Sequence, residues 1–329
     1  MTPRHDAAVA PMCYAADLDS IRAARRRIEP FALRTPVLTS ATLDEISGRR
    51  LAFKCEIFQR TGSFKFRGAT NAIRMIDDES AARGVVTHSS GNHAQALALA
   101  ARMRGISAHV VMPSNSAQIK KDAVRGYGAT IIECEATLEA RESTAARVLA
   151  QTGGTMIPPF NHPNVIAGQG TIALELLDEC PQLDCIIVPL GGGGLISGIA
   201  IAAKALKPSI KIIGAEPELA GDAAASKREG SIQPAMTPLT IADGLRTALG
   251  PLTFPVVRDL VDEIVLVSED DIALHMRLVW ERMKITIEPS AAIAVAVACS
   301  AWMRQQHDLA DVGVILCGGN VDLAALPVD

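Results

Sequence analysis

The stretch "IIVPLGGGGLISGIAIAAKA", residues 186–205, decides the fold. A branched apolar run ends at Leu190, four glycines follow, and an apolar helix is expected from about Leu195. Outward from this step the same alternation recurs. Strand-like runs read as "LAFKCE" (51–56), "GVVTH" (84–88), "AHVVM" (108–112), "TIIECE" (130–135), "DCIIVPL" (184–190), "IKIIGAE" (210–216), "EIVLV" (263–267) and "VGVILC" (312–317), with helical patterns between most of them. One helix is expected over "ATLDEISG" (41–48), with Thr42 and Glu45 at capping-box spacing and Gly48 as its stop. Another is expected over 268–283, where Ile272, Met276, Val279 and Met283 recur at helical spacing. Repeated β–α alternation predicts an α/β protein with an open, doubly wound sheet and helices on both faces. Residues 84–155 hold a β-α-β-α-β-α set of their own, expected as a small domain inserted into a larger one.

Composition agrees. Of 329 residues 49% are hydrophobic and only 3% aromatic, which suits aliphatic helices packed on a parallel sheet. Net charge is −4 with signs interspersed, so no basic stripe or aromatic platform points to nucleic acid. Seven cysteines without a C-x-x-C pair argue against a zinc ribbon and for free thiols in a reducing cytoplasm. No stretch has the length and apolarity of a membrane span or signal peptide, and the first dozen or so residues are expected to be a loose arm.

Gly191, Gly192, Gly193 and Gly194 carry no side chains, so their N–H groups can converge on an anion at the start of the next helix. Hydrogen bonds to a charged group contribute about 1.5–3 kcal/mol each, so three or four can hold a phosphate monoester. The carboxyl end of a strand in an open sheet is where such ligands bind. A dinucleotide is one reading, because Glu216 ends the next strand where a ribose would be held. That reading, a nicotinamide-dependent oxidoreductase, lacks a clean G-x-G-x-x-G and leaves "TGSFKFRG" (61–68) unexplained.

If the phosphate is that of pyridoxal phosphate, Lys65 in that segment can form an imine with the cofactor aldehyde. Ser63 is expected to cap a helix beginning at Phe64, putting Lys65 in its first turn. The helix dipole there disfavours a cation by ~0.3–1 kcal/mol, less than one pKa unit, so the dipole alone does not activate the amine; desolvation can, and Phe64 and Phe66 could contribute to it, the alternative being a lysine in an ordinary amphipathic first turn. A third strand–turn–helix step, "VVTHSSGNHAQALALAARM" (85–103), places Ser89, Ser90, Gly91, Asn92 and His93 at a helix start suited to a small carboxylate. On spacing alone Ser90 or Asn92 can equally be a simple cap, and His93 reads as structural.

With these pieces in order, "TGSFKFRGA", "THSSGNHAQALA", "VIAGQGTIALEL", "GGGGLISG", "IADGL", "WERMKITIEPSAA" and "CGGNVDL" resemble the serine/threonine dehydratase and serine racemase family, pyridoxal-phosphate enzymes of fold type II. The likeness runs from about residue 17 to 325. It implies two open, doubly wound, mostly parallel sheets, with residues 1–83 and 156–329 as the large cofactor-binding domain and 84–155 as the small one. It implies Lys65 as the Schiff-base lysine, Phe64 near the ring, Asn92 on the ring 3′-oxygen, Gly191 to Gly194 on the phosphate and Cys317 facing the pyridine nitrogen. Ser89, Ser90, Gly91, Asn92 and His93 would grip the substrate carboxylate, and Ser90 would face Lys65 across the cofactor.

The same likeness implies a divalent cation (Mg²⁺, Mn²⁺ or Ca²⁺) on Glu216, the Ala220 carbonyl and Asp222, a hard oxygen set. Arg141 lies on the substrate side by resemblance, and with Arg246 it could receive a second carboxylate; the alternative is a pair of surface ion-pair partners. Phe160 stands where the animal racemases have asparagine, as in dehydratases. The expected principal activity is therefore an ammonia-lyase acting on L-serine, L-threonine or 3-hydroxyaspartate, with serine or aspartate-type racemisation as the alternative. A cytoplasmic homodimer is expected, without the regulatory domain of biosynthetic threonine deaminases.

Overall fold

The structure, a computed structural model, describes residues 14–236 and 239–322; the expected N-terminal arm and Cys13 lie outside them. The described strands are β1 (Val37–Leu38), β2 (Arg50–Cys55), β3 (Val85–His88), β4 (Ala108–Pro113), β5 (Thr130–Cys134), β6 (Thr155–Met156), β7 (Cys185–Pro189), β8 (Lys211–Pro217), β9 (Glu263–Val267) and β10 (Asp311–Leu316). They form two sheets, a six-stranded one ordered β1-β2-β10-β7-β8-β9 and a four-stranded one ordered β5-β4-β3-β6. Every pairing is parallel except that of β1 on β2. In the larger sheet Val312 of β10 lies opposite both Leu51 and Cys185, so the strand last in sequence closes the middle.

All eight runs expected as strands are present, each within one residue at either end. Their legibility follows from burial: β7 is buried along its whole length because helices cover both faces, so it is a continuous apolar run. β1 and β6 have two residues each, too few to carry a period. The helix Ala41–Ser47 is capped by Ser40, whose side chain accepts the Leu43 N–H, and not by the expected Thr42–Glu45 box; Gly48 does end it, in the left-handed conformation. The helix Glu269–Met283 buries Ile272, Met276 and Val279 as expected.

The helix Lys65–Met75 joins the two halves, packing on the helices Pro163–Glu179 and Asn92–Arg104. Phe64 belongs to the core of the six-stranded sheet, whereas Phe66 belongs to a second core with Val85, Leu97 and Val110 of the four-stranded sheet. Lys65 therefore stands at the seam between two cores. Arg67, two residues on, is 1% exposed and donates to Glu56 at 2.7 and 2.8 Å and to Glu175 at 2.6 and 2.8 Å. Lys54 reaches Glu175 at 2.7 Å, so two cations and two anions neutralise one another beneath the helix start. Removing one partner of such a buried set costs about 3–5 kcal/mol, because the other charge is left uncompensated.

Candidate active site

Lys65 is the first residue of its helix. The expected cap is not made: Phe64 occupies the N-cap position without a side-chain bond, and the Ser63 hydroxyl is buried without a partner. The Phe64 N–H instead donates to the Cys317 carbonyl at 3.0 Å, and Ser63 bridges to Gly318, so the turn is held by the end of β10. The Lys65 ammonium donates to the Pro159 carbonyl at 2.9 Å and lies 5.0 Å from the Phe64 ring centroid. A little of its surface remains accessible, but protein surrounds the amine, and this desolvation lowers its pKa to about 8 against the opposing pull of Cys317 and Glu288. Phe64 and Phe66 are both buried, consistent with the expected apolar setting.

Gly191 to Gly194 connect β7 to the helix Gly194–Leu206 and are wholly buried. Gly193, the N-cap, has φ 84°, a left-handed conformation that favours glycine. At Gly192 a Cβ would lie 2.5 Å from the Phe160 ring, so the loop is bare because Phe160 lies against it. Thr253 fixes the loop from the other side, its hydroxyl donating to the Gly192 carbonyl at 2.9 Å. The Ser197 N–H makes the first intrahelical bond, to Gly193, so the amides ahead of it have no acceptor within the helix and mark an anion position.

The segment Ser89, Ser90, Gly91 and Asn92 follows β3 and is half-buried. Among the described residues the backbone N–H groups of Ser90, Asn92 and His93 have no acceptor, which leaves them for a ligand. The His93 side chain is turned away from this role. Its Nε2 donates to the Ile157 carbonyl at 2.9 Å, and burial, with the Lys65 charge adding, lowers its pKa to about 3. Asn92 donates through Nδ2 to the Glu288 carboxylate at 2.8 and 3.1 Å and accepts through Oδ1 from Asn320 at 2.9 Å. Neither Glu288 nor Asn320 was singled out from the sequence, although each lies in a quoted motif; an acid before a proline gives no signal of burial. Burial, with Asp243 adding, raises Glu288 to about 7. Burial also pushes the Cys317 thiol well above its ordinary value, so it stays neutral, and its Sγ donates to the Ser290 carbonyl at 3.4 Å.

Glu216 and Asp222 are buried at the end of β8 and the start of the helix Asp222–Glu229. Glu216 accepts the N–H groups of Ala223 and Ala224 at 2.7 and 2.8 Å, a use that a ribose-binding acid of the dinucleotide reading would not have. Burial raises Glu216 to about 8 and Asp222 to about 6, and Asp222 Oδ2 has no partner among the described residues. No group of three or more His, Cys, Asp or Glu side chains that could hold a metal occurs among the described residues; the expected set offers two carboxylates and a carbonyl. Arg141 is half-buried, its Nε donates to the Thr137 carbonyl at 3.3 Å, and its charge adds to burial in lowering the pKa of His88. Arg246 is exposed and donates to the Thr240 carbonyl at 2.6 and 3.1 Å. Six cysteines are free among the described residues, and no helix there is long and apolar enough to cross a membrane.

Comparison with known proteins places this geometry. The family "pyridoxal-phosphate dependent enzyme" matches residues 28–318. Serine racemase of Oryza sativa is 52% identical over 316 residues, 95% of this chain and 93% of that protein. The structure of maize serine racemase superposes with a TM-score of 0.94 at 51% identity, covering 94% of this chain and 95% of that one. A T.th. threonine deaminase superposes with a TM-score of 0.88 at 41% identity, covering 94% of this chain and 100% of that one. A lysine at the seam between the cores of two open, mostly parallel sheets thus has its explanation: the chain belongs to the pyridoxal-phosphate dependent enzymes of fold type II, in the serine/threonine dehydratase and serine racemase family.

Proposed function

We propose that this chain is a pyridoxal-phosphate-dependent serine racemase that also removes water from β-hydroxy amino acids. The observation that carries the racemase reading is the 52% identity, over 95% of the chain, to an enzyme named serine racemase. It favours the alternative of the sequence reading over its principal one. Elimination stays as a second activity because the aromatic Phe160, which by resemblance looks more like the dehydratases than the animal racemases, lies against the glycine turn, and because a threonine deaminase is among the structural neighbours.

The residues present fit the cofactor. Gly191 to Gly194 and the amides behind them suit its phosphate, Lys65 its aldehyde, and the neutral Cys317 thiol its ring nitrogen, with Phe64 and Asn92 beside the ring. When bound, pyridoxal phosphate supplies an electron sink for an amino acid's α-carbon. Lys65, with its lowered pKa, takes or returns the α-proton on one face. The Ser90 hydroxyl does so on the other, which is what inversion requires. Ser89, Gly91, Asn92 and His93 contribute the turn whose free amides orient the substrate carboxylate. Elimination needs only the Lys65 face and a proton for the departing hydroxyl.

Glu216, the Ala220 carbonyl and Asp222 are proposed to hold a divalent cation as structural support. Two buried carboxyls with raised pKa values and an orphaned oxygen are relieved by such a charge. The resemblance supports a homodimer, and the free cysteines support a reducing, cytoplasmic setting. The test supplies reconstituted enzyme with L-serine, D-serine, L-threonine and the 3-hydroxyaspartate isomers, recording enantiomers and 2-oxo acids. Interconversion of the serine enantiomers with some pyruvate is expected. Pyruvate without D-serine would return the reading to a dehydratase, and neither product would overturn both.

A further inference from the structure

The Asn92 side chain is held in one orientation. Its Nδ2 donates to both Glu288 oxygens and its Oδ1 accepts from Asn320 Nδ2. Asn320 is fixed in turn, its Nδ2 donating to the Thr61 carbonyl at 2.7 Å and its backbone N–H to Glu288 Oε2 at 3.1 Å. Turning the Asn92 amide over would set two NH₂ groups against each other and an oxygen against a carboxylate. Glu288 occupies the N-cap position of the helix Pro289–Cys299 but makes no side-chain bond to that helix. Its carboxylate is 3% exposed and turned to Asn92 instead. The backbone makes room for both partners: a Cβ at Gly318 would lie 2.5 Å from Glu288 Oε1, and one at Gly62 2.5 Å from Asn320 Oδ1. Both Glu288 oxygens belong to one carboxylate and lie in nearly the same direction from Nδ2, whereas the two hydrogens of a planar amide diverge widely; the carboxylate therefore takes one hydrogen, and the other has no acceptor among the described residues.

We propose that Glu288 and Asn320 are positioning residues that lock the Asn92 amide so that one of its N–H bonds stays free for the ring oxygen of the cofactor. This rests on the pyridoxal-phosphate reading above. A hydrogen bond to that oxygen affects how tightly a proton is held between it and the neighbouring Lys65 nitrogen, so the lock tunes the bound cofactor's acid–base behaviour. The titratable groups facing Glu288 are Lys65 and Cys317 from the ends of their helix and strand, Asp243 from the 243–245 turn, and Lys120 from the helix Gln118–Gly126. His93 faces Lys65 and stays neutral through this range.

The experiment compares wild-type, Glu288→Gln and Asn320→Ser holoenzymes. The cofactor's visible absorbance is titrated against pH, cofactor affinity is measured on the stripped proteins, and circular dichroism checks the fold. Glu288→Gln removes a negative charge and should lower the absorbance midpoint by about half a pH unit or more. Asn320→Ser keeps that charge but frees the amide, and should weaken cofactor affinity roughly threefold or more. If the Gln variant does not fold, the Ser variant decides. Wild-type midpoint in a folded Gln variant together with wild-type affinity in the Ser variant overturns the lock alone. A wild-type protein in which borohydride fixes no cofactor to Lys65 overturns the cofactor reading as well.

Discussion

Two strand-to-helix turns of this chain are built in opposite ways. The 191–194 turn is buried, its carbonyl is pinned by Thr253, and its bare backbone is packed by Phe160. The 89–92 turn is half-buried, polar, and around Gly91 a Cβ would meet nothing within 4 Å. Both present unpartnered amides at a helix start, so both attract anions. The difference lies in rigidity and access. A packed turn suits the proposed resident phosphate, and an open one suits a substrate carboxylate that must enter and leave.

Alanine at the two turns offers the strongest attempt to break this contrast. Gly192→Ala drives a methyl into the Phe160 ring, a kind of overpacking that costs typically ~1–3 kcal/mol, so cofactor affinity should fall about tenfold or more. Gly91→Ala should retain the cofactor and alter only the substrate KM; equal cofactor loss in both variants would erase the distinction. Next in size is Ser90→Ala, which removes the proposed proton carrier from the open turn. D-serine formation from L-serine should drop by about 10²–10⁴, while pyruvate formation falls far less. Parallel loss of both products would place Ser90 in binding alone.

The lysine between the two cores is tested by pH. Its lowered value means that the free, nucleophilic amine forms as pH rises through about 8. Cofactor capture by the stripped protein should accelerate about tenfold between about pH 7 and about pH 9 and then level off. A flat profile contradicts the desolvated amine. On the cation side, Glu216 and Asp222 have raised pKa values, so folding retains their protons. Stability contributed by these neutral forms is present at low pH and is lost as pH rises through about 6 and about 8. The proposed cation would bind the ionised pair, so added Mg²⁺ should raise Tm by roughly 2–4 °C more at about pH 8.5 than at about pH 5.5. The smallest expected effect is that of Arg141→Ala on serine, within about twofold, since this half-buried side chain already bonds the Thr137 carbonyl. A selective loss of 3-hydroxyaspartate turnover would assign Arg141 to a second carboxylate.

Much of the fold was legible because inner strands such as β7 and β10 are covered on both faces, which writes them as apolar runs. The glycine turn was legible for a related reason, since four bare residues in succession have few other uses. Capping was not. Ser63 in sequence is a competent cap, yet its turn is held by the carbonyl of Cys317, far along the chain. Glu288 and Asn320 escaped for the same reason, because their partners are distant in sequence.

Local pattern alone was enough for the alternation of strands and helices, the bare glycine turn and the chemistry available at Lys65, since each depends on neighbours along the chain. It took the folded arrangement to send Phe64 and Phe66 into different cores, to rest Lys65 on Pro159, and to grip Asn92 between Glu288 and Asn320. Burial and hydrogen-bond partners across the chain depend on how the two sheets meet, and no periodicity along the sequence encodes that meeting.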